Sequence, residues 1–87
     1  MATVWIPALV RDLTGGLESV VVSGATVQQV IEALDQRFPG IRDRLCEGDG
    51  VRRGLVVAVD TQVSRMGLQQ PVGEASEVHF LPALSGG

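Results

Sequence analysis

The 87-residue sequence holds one histidine, His79, one cysteine, Cys46, and, in its second half, the serines Ser64, Ser76 and Ser85. These are its candidates for nucleophilic or acid–base chemistry. A hydrolase of the serine type needs a base beside the hydroxyl and a sharp turn that exposes it. No G-x-S-x-G surrounds any of the three serines and His79 is the only imidazole, so the inventory argues against self-contained catalysis. Cys46 has no neighbouring base to take its proton and reads as a small apolar or half-exposed residue. One cysteine and one histidine make neither a disulfide framework nor a structural zinc site, which fits a reducing, cytoplasmic setting. Gly15 and Gly16 lack the Lys-Ser or Lys-Thr of a phosphate loop and read as a turn. What remains is the closing stretch L-P-A-L-S-G-G, residues 81–87. Without Cβ atoms Gly86 and Gly87 adopt conformations closed to other residues and pass through narrow spaces. Taken alone, such an end is also what a frayed terminus looks like. The sequence that feeds it has to decide.

The overall composition narrows the partners. Net charge is −3, and all seven basic residues are arginines scattered from Arg11 to Arg65 with no basic stripe, so nucleic acid binding is disfavoured. A protein partner with a basic surface suits this charge better. Arg52 and Arg53 read as part of a solvated loop. There is no lysine, hence no side-chain amine for isopeptide linkage. The first ten residues lack a basic n-region and run into Arg11 and Asp12, which matches neither a secretory leader nor a membrane span. Length allows one domain, and with 3% aromatics its core must be aliphatic.

The elements that must position these groups follow from periodicity. Alternation over residues 3–10 predicts a first strand with Val4, Ile6 and Ala8 on one face and Thr3, Trp5 and Pro7 on the other. D-L-T-G-G at 12–16 supplies a turn, and residues 17–23 a second strand, making a hairpin. Val27, Val30, Ile31, Leu34 and Phe38 fall on one stripe of an α-helix. Thr26 and Gln29 form a capping box at its start, and Pro39 and Gly40 end it. Glu32 and Asp35 lie opposite the stripe and read as surface. Residues 41–45 add a short helical turn, and 46–54 read as a polar Gly-rich loop. Leu55 to Asp60 is an almost wholly apolar strand, which suggests a place inside a sheet or a second face that meets a partner. Val63 marks a short edge strand, and E-V-H-F-L-P at 77–82 a last strand. One helix on a mixed sheet of four to five strands, in the order ββαββ, is an α+β two-layer design.

With that order, and a last strand running straight into L-P-A-L-S-G-G, the sequence resembles the ubiquitin-like β-grasp sulfur carriers of the MoaD and ThiS group. The matching segments are the capped helix T-V-Q-Q-V-I-E-A-L, R-F-P-G-I-R-D-R-L, the strand L-V-V-A-V-D and V-H-F-L-P-A-L-S-G-G, which together span nearly the whole chain. The resemblance implies a β-grasp domain over 1–82 and a flexible tail over 83–87, with first and last strands parallel at the sheet centre. It implies a core containing Val4, Ile6, Val20, Val22, Val27, Val30, Ile31, Leu34, Leu55, Val57, Val59, Val78 and Phe80. Alternation then leaves Trp5, Pro7, Val56, Ala58, His79 and Leu81 on the open sheet face, with Pro82 directing the exit. That face is expected to dock partners.

The resemblance also implies the chemistry. An E1-like adenylyltransferase of the MoeB or ThiF type would use ATP to adenylate the Gly87 carboxylate, and a sulfur donor would displace AMP to leave a thiocarboxylate. Ala83, Leu84, Ser85 and Gly86 would thread into the partner's active site. The chain itself would be a cosubstrate, not an enzyme, with no bound cofactor or metal. The T-G-G turn after an I-P pair, with F-P-G-I-R-D-R-L, looks most like the CysO-type carriers. Their sulfur acceptor is a cysteine synthase, followed by a metal-dependent desulfhydrylase. The alternatives are a MoaD-type small subunit, paired with the molybdopterin synthase large subunit, and a ubiquitin-like modifier or interaction module.

Overall fold

The computed structural model describes residues 1–82. A five-stranded mixed sheet carries one long helix on one face. The strands are β1 (Ala2–Trp5), β2 (Ser19–Val22), β5 (Leu55–Val59), β6 (Gln62–Val63) and β7 (Glu77–Pro82), in the spatial order β2-β1-β7-β5-β6. β7 therefore occupies the centre. It runs parallel to β1, with Val4 opposite Val78 and Trp5 opposite His79, and antiparallel to β5, from Val59 opposite Val78 to Leu55 opposite Pro82.

Helix α1 (Val27–Arg37) forms where the stripe predicts it. Val27, Val30, Ile31 and Leu34 are fully or almost fully buried against Val4, Val20, Val57, Val78 and Phe80 of the sheet. Thr26 Oγ1 accepts from the Gln29 N–H at 3.2 Å, but Gln29 Oε1 accepts from the Ala25 N–H at 2.8 Å, one residue before the cap. The reciprocal box is thus displaced by one residue, and it still satisfies two amides that the helix leaves open. Gly40, at φ +99°, turns the chain into α2 (Ile41–Leu45). Asp35, expected to be plain surface, accepts from the N–H groups of Gly40 (3.2 Å) and Arg42 (3.1 Å), so it caps the start of α2 from the preceding helix.

Three expectations are corrected. The first strand ends at Trp5, not Val10. Ile6 N–H still bonds Glu18 C=O at 2.8 Å, but Pro7 has no N–H to offer, and the chain closes into a 3₁₀ turn over Ala8–Val10. Val10, not Ala8, is then buried. The polar segment after α2 is a small hairpin, β3 (Cys46–Glu47) with β4 (Gly50–Val51), seated on Leu45 through the Arg52 N–H. Leu55 is half-buried at the rim, whereas Ala2, Ile41, Leu45 and Val72 join the core.

Candidate functional site

Among the described residues, the sheet's second face carries no helix. Register places Ser19, Trp5, His79, Ala58 and Val63 in one row across it, followed toward the exit by Val56 beside Leu81. Trp5 and Leu81 are each 41% exposed and Val63 58%. An aliphatic sheet that leaves a tryptophan and two large aliphatics in water has unpaired apolar area on that side.

Within the row, Trp5 and His79 stack, their ring centroids 5.7 Å apart and their planes 22° from parallel. Glu77 lies two residues before His79 and so on the same face. Its Oε1 accepts from Trp5 Nε1–H at 3.2 Å and lies 3.5 Å from His79 Nε2. One carboxylate oxygen therefore hydrogen-bonds the indole and lies close to the imidazole. Sequence alternation puts these three side chains on one face, but the shared oxygen is a contact only the parallel pairing of β1 and β7 creates.

Two of the expected docking residues sit differently from their neighbours. Ala58 is 4% exposed, because its short side chain lies between His79 and Val63 in the row; it forms the floor of the patch and offers no contact area. Pro7 lies beyond the end of β1 and caps the 3₁₀ turn, so it borders the patch at partial burial and does not continue the strand face. Val56, His79 and Leu81 lie on the open face where alternation places them; Pro82, exposed at the end of β7, has the parity of Val78 and Phe80 and so borders the patch from the strand end. The expected reactive and threading residues, Ala83, Leu84, Ser85, Gly86 and Gly87, lie outside the described residues.

β7 is held firmly at its start. Asp60 and Thr61 form the turn from β5 to β6 with φ of 51° and 72°. The Asp60 Oδ1 accepts from Glu77 N–H at 3.0 Å and its Oδ2 from Ser76 Oγ–H at 2.7 Å, while Ser76 Oγ accepts from Gly73 N–H. The Glu77 N–H and then the Ser76 hydroxyl hold the Asp60 carboxyl below the ordinary carboxylate range. This network escaped the sequence reading, since nothing local links residue 60 to residues 73–77.

The other reactive candidates stay apart. Cys46 lies in the small hairpin, off the main sheet; burial pushes its thiol up, Arg42 acts the other way, and Asp43 adds to the rise. Ser64 bonds Gln70, and Ser76 serves Asp60. Among the described residues, no three His, Cys, Asp or Glu side chains group as metal ligands, and no helix is long and apolar enough to cross a membrane. A cleft of about 330 Å³ lined by Met1, Ser23, Gly24, Ala25, Val72 and Glu74 opens at the end of the sheet opposite the exit of β7.

Comparison with known proteins decides the family. The ThiS family model matches residues 4–87. The chain belongs to the ThiS family of ubiquitin-like sulfur carriers. It is 34% identical to the sulfur carrier protein CysO of Mycobacterium tuberculosis, over 98% of this chain and 97% of the relative. Among solved structures, the complex of BexX and CysO from Amycolatopsis orientalis contains a chain 36% identical, covering all of both chains at a TM-score of 0.90. The M. tuberculosis CysO crystal structure matches at 0.88 with 32% identity, covering 97% of this chain and all of that one. The small archaeal modifier protein 1 of Methanosarcina acetivorans, at 22% identity and a TM-score of 0.78, covering 99% and 95%, shares the β-grasp fold. The ubiquitin-like family assignment, the mixed sheet and the single main helix are as the sequence suggested.

Proposed function

We propose that this chain is a CysO-type sulfur carrier whose Gly87 carboxylate becomes a thiocarboxylate. The observation that carries the reading is the family match through residue 87, joined to a central β7 that ends at Pro82, five residues before Gly87 in the sequence. A carboxylate oxygen is a poor leaving group at neutral pH. A partner adenylyltransferase therefore joins the carboxylate to AMP at the expense of ATP, releasing pyrophosphate. Hydrosulfide attacks the acyl carbon, the acyl–O bond breaks, and AMP leaves with the electron pair. The resulting thiocarboxylate is a soft nucleophile for a cysteine synthase, and a metal-dependent desulfhydrylase would complete the cycle in the cytoplasm. The carrier supplies no catalytic group. It presents the tail from a fixed strand and docks through Trp5, Val56, His79, Leu81 and Pro82, with Pro7 at the border.

Intact mass tests this. After incubation with ATP, sulfide and a ThiF-type adenylyltransferase, the mass should rise by about 16 units, the difference between sulfur and oxygen, with Gly87 as the altered residue. Deleting Gly86 and Gly87 should abolish the gain and leave the thermal midpoint nearly unchanged, because residues outside the core add little stability. An unchanged wild-type mass, or Gly87 found instead in isopeptide linkage to partner lysines, refutes the carrier reading.

A further inference from the structure

The Trp5–His79–Glu77 arrangement does more than leave apolar surface exposed. The indole leans toward β7, where His79 covers one side and Glu77 fixes its N–H. On the other side its cross-strand neighbour is Ser19, a side chain too small to cover an indole. Both named contacts use Oε1 of Glu77; among the described residues Oε2 makes no hydrogen bond. The side chain of Glu77 is 58% exposed. A partly exposed indole beside a solvent-facing carboxylate oxygen is the pairing that binds a guanidinium, through its π system and its N–H fork together.

We propose that this cluster is a receiving site for one arginine side chain on the surface of the enzyme that takes the tail. The proposal rests on the carrier reading for the identity of that enzyme. Charge complementarity supports a cationic occupant, since the chain carries net −3 and the plate itself presents a carboxylate. Position supports it too. His79 lies three residues before Pro82 on the strand that leads to the tail, so an enzyme that closes over the end of β7 covers the plate. Glu77 is the positioning residue: it holds the indole N–H and contributes the charge.

The test uses the full chain and a probe that isolates the site. In a two-dimensional NMR titration with acetyl-arginine amide, the Trp5 indole N–H and the His79 ring signals should move together, in proportion to each other, as the probe is added. Acetyl-citrulline amide, a neutral isostere, should move them little. Glu77→Gln keeps an oxygen acceptor for Trp5 and removes the charge; it should weaken the arginine response about two- to fivefold, as expected for an exposed charge and π contact. Trp5→Leu should abolish the His79 response while the circular dichroism of the fold is retained. Equal responses to the two probes, or an arginine response indifferent to Glu77→Gln, overturn the proposal. Movement of the same signals on simple concentration of the protein would assign the face to a second copy and also overturn it. The mass assay on the same samples reports the carrier reading separately, so either conclusion can fail without the other.

Discussion

Gly24→Ala is the substitution for which the structure fixes both sign and size. A Cβ built at Gly24 would lie 2.8 Å from the Val30 backbone nitrogen, 2.8 Å from Val30 Cγ2 and 3.2 Å from the Gln29 carbonyl carbon. A flexible side chain could swing aside, but a helix backbone cannot. Val30 is 0% exposed in the middle of the core stripe, so relief requires moving α1 off the sheet. Overpacking of this kind costs about 1 to 3 kcal/mol. The opposing gain from a stiffer unfolded chain is about 0.4 to 1 kcal/mol, so destabilisation wins. For a domain of this size each kcal/mol moves the midpoint by about 4 to 8 °C, and with the two effects at their mid-values, about 2 against about 0.7 kcal/mol, the net cost of about 1.3 kcal/mol predicts a fall of about 5 to 10 °C. Thermal unfolding followed by circular dichroism measures it. Gly50→Ala is the internal control, because the same Cβ there meets nothing within 4 Å and its φ is not in the left-handed region. It should leave the midpoint unchanged or raise it slightly. A Gly24→Ala midpoint equal to or above wild type would refute the close approach of residue 24 to α1 and the reasoning built on it.

Acid should weaken the fold through Asp60. Its carboxyl binds a proton less readily folded than unfolded, so its contribution is fully present above the ordinary carboxylate range and is lost as pH falls through the folded value. Urea melts from pH 7 to 3 should show this decline, and Asp60→Asn should flatten it; a variant with an unaltered acid slope would remove Asp60 from the account. Thr61→Gly should raise stability by up to about 1 kcal/mol, since a β-branched residue at φ 72° is strained and Asp-Gly suits this two-residue hairpin turn. Denaturant midpoints check it, and a loss would mean that the Thr61 side chain contributes more than its strain costs. Together with the thiocarboxylate mass gain and the arginine titration, these predictions probe the core, the sheet end, the tail and the open face separately.

The main helix and the central strands are legible because their signals are local and redundant. Val27, Val30, Ile31 and Leu34 fix the buried stripe, Thr26 and Gln29 mark its start, and Val78 with Phe80 gives β7 its inner face. The misreadings arise where two residues decide an element. A two-residue strand pair around Gly48 and Asp49 has too few positions to show alternation, so the hairpin passes for a loop. Val4, Ile6 and Ala8 do alternate, yet Pro7 overrides the pattern by removing a donor. The polar contacts are of a third kind. Asp35 on the Gly40 and Arg42 amides, Asp60 on Ser76 and Glu77, and Glu77 on Trp5 all depend on how elements are brought together. Alternation showed which residues face outward but not that Ala58 is shielded by its neighbours.

Under the proposed function, the pairing of β7 also sets the point from which residues 83–87 start. β1 accompanies β7 only as far as His79, whereas β5 continues to Pro82 opposite Leu55. The strand thus keeps one paired edge through Pro82, and the far edge of its last three residues is free of β1. Five further residues span at most about 16 to 18 Å. If Pro82 is the fixed origin of that reach, then the depth of the enzyme site that Gly87 can enter is set by the length of β5 as much as by the number of tail residues. Under that proposal, shortening the β5 pairing at Leu55 would release Pro82 and lengthen the reach without adding a residue, but it would loosen its aim and raise the entropy to be overcome on docking. Under the proposed function, the strand that carries Glu77 and His79 is also the one that leads into residues 83–87, so docking and delivery would be registered to each other by the same hydrogen bonds.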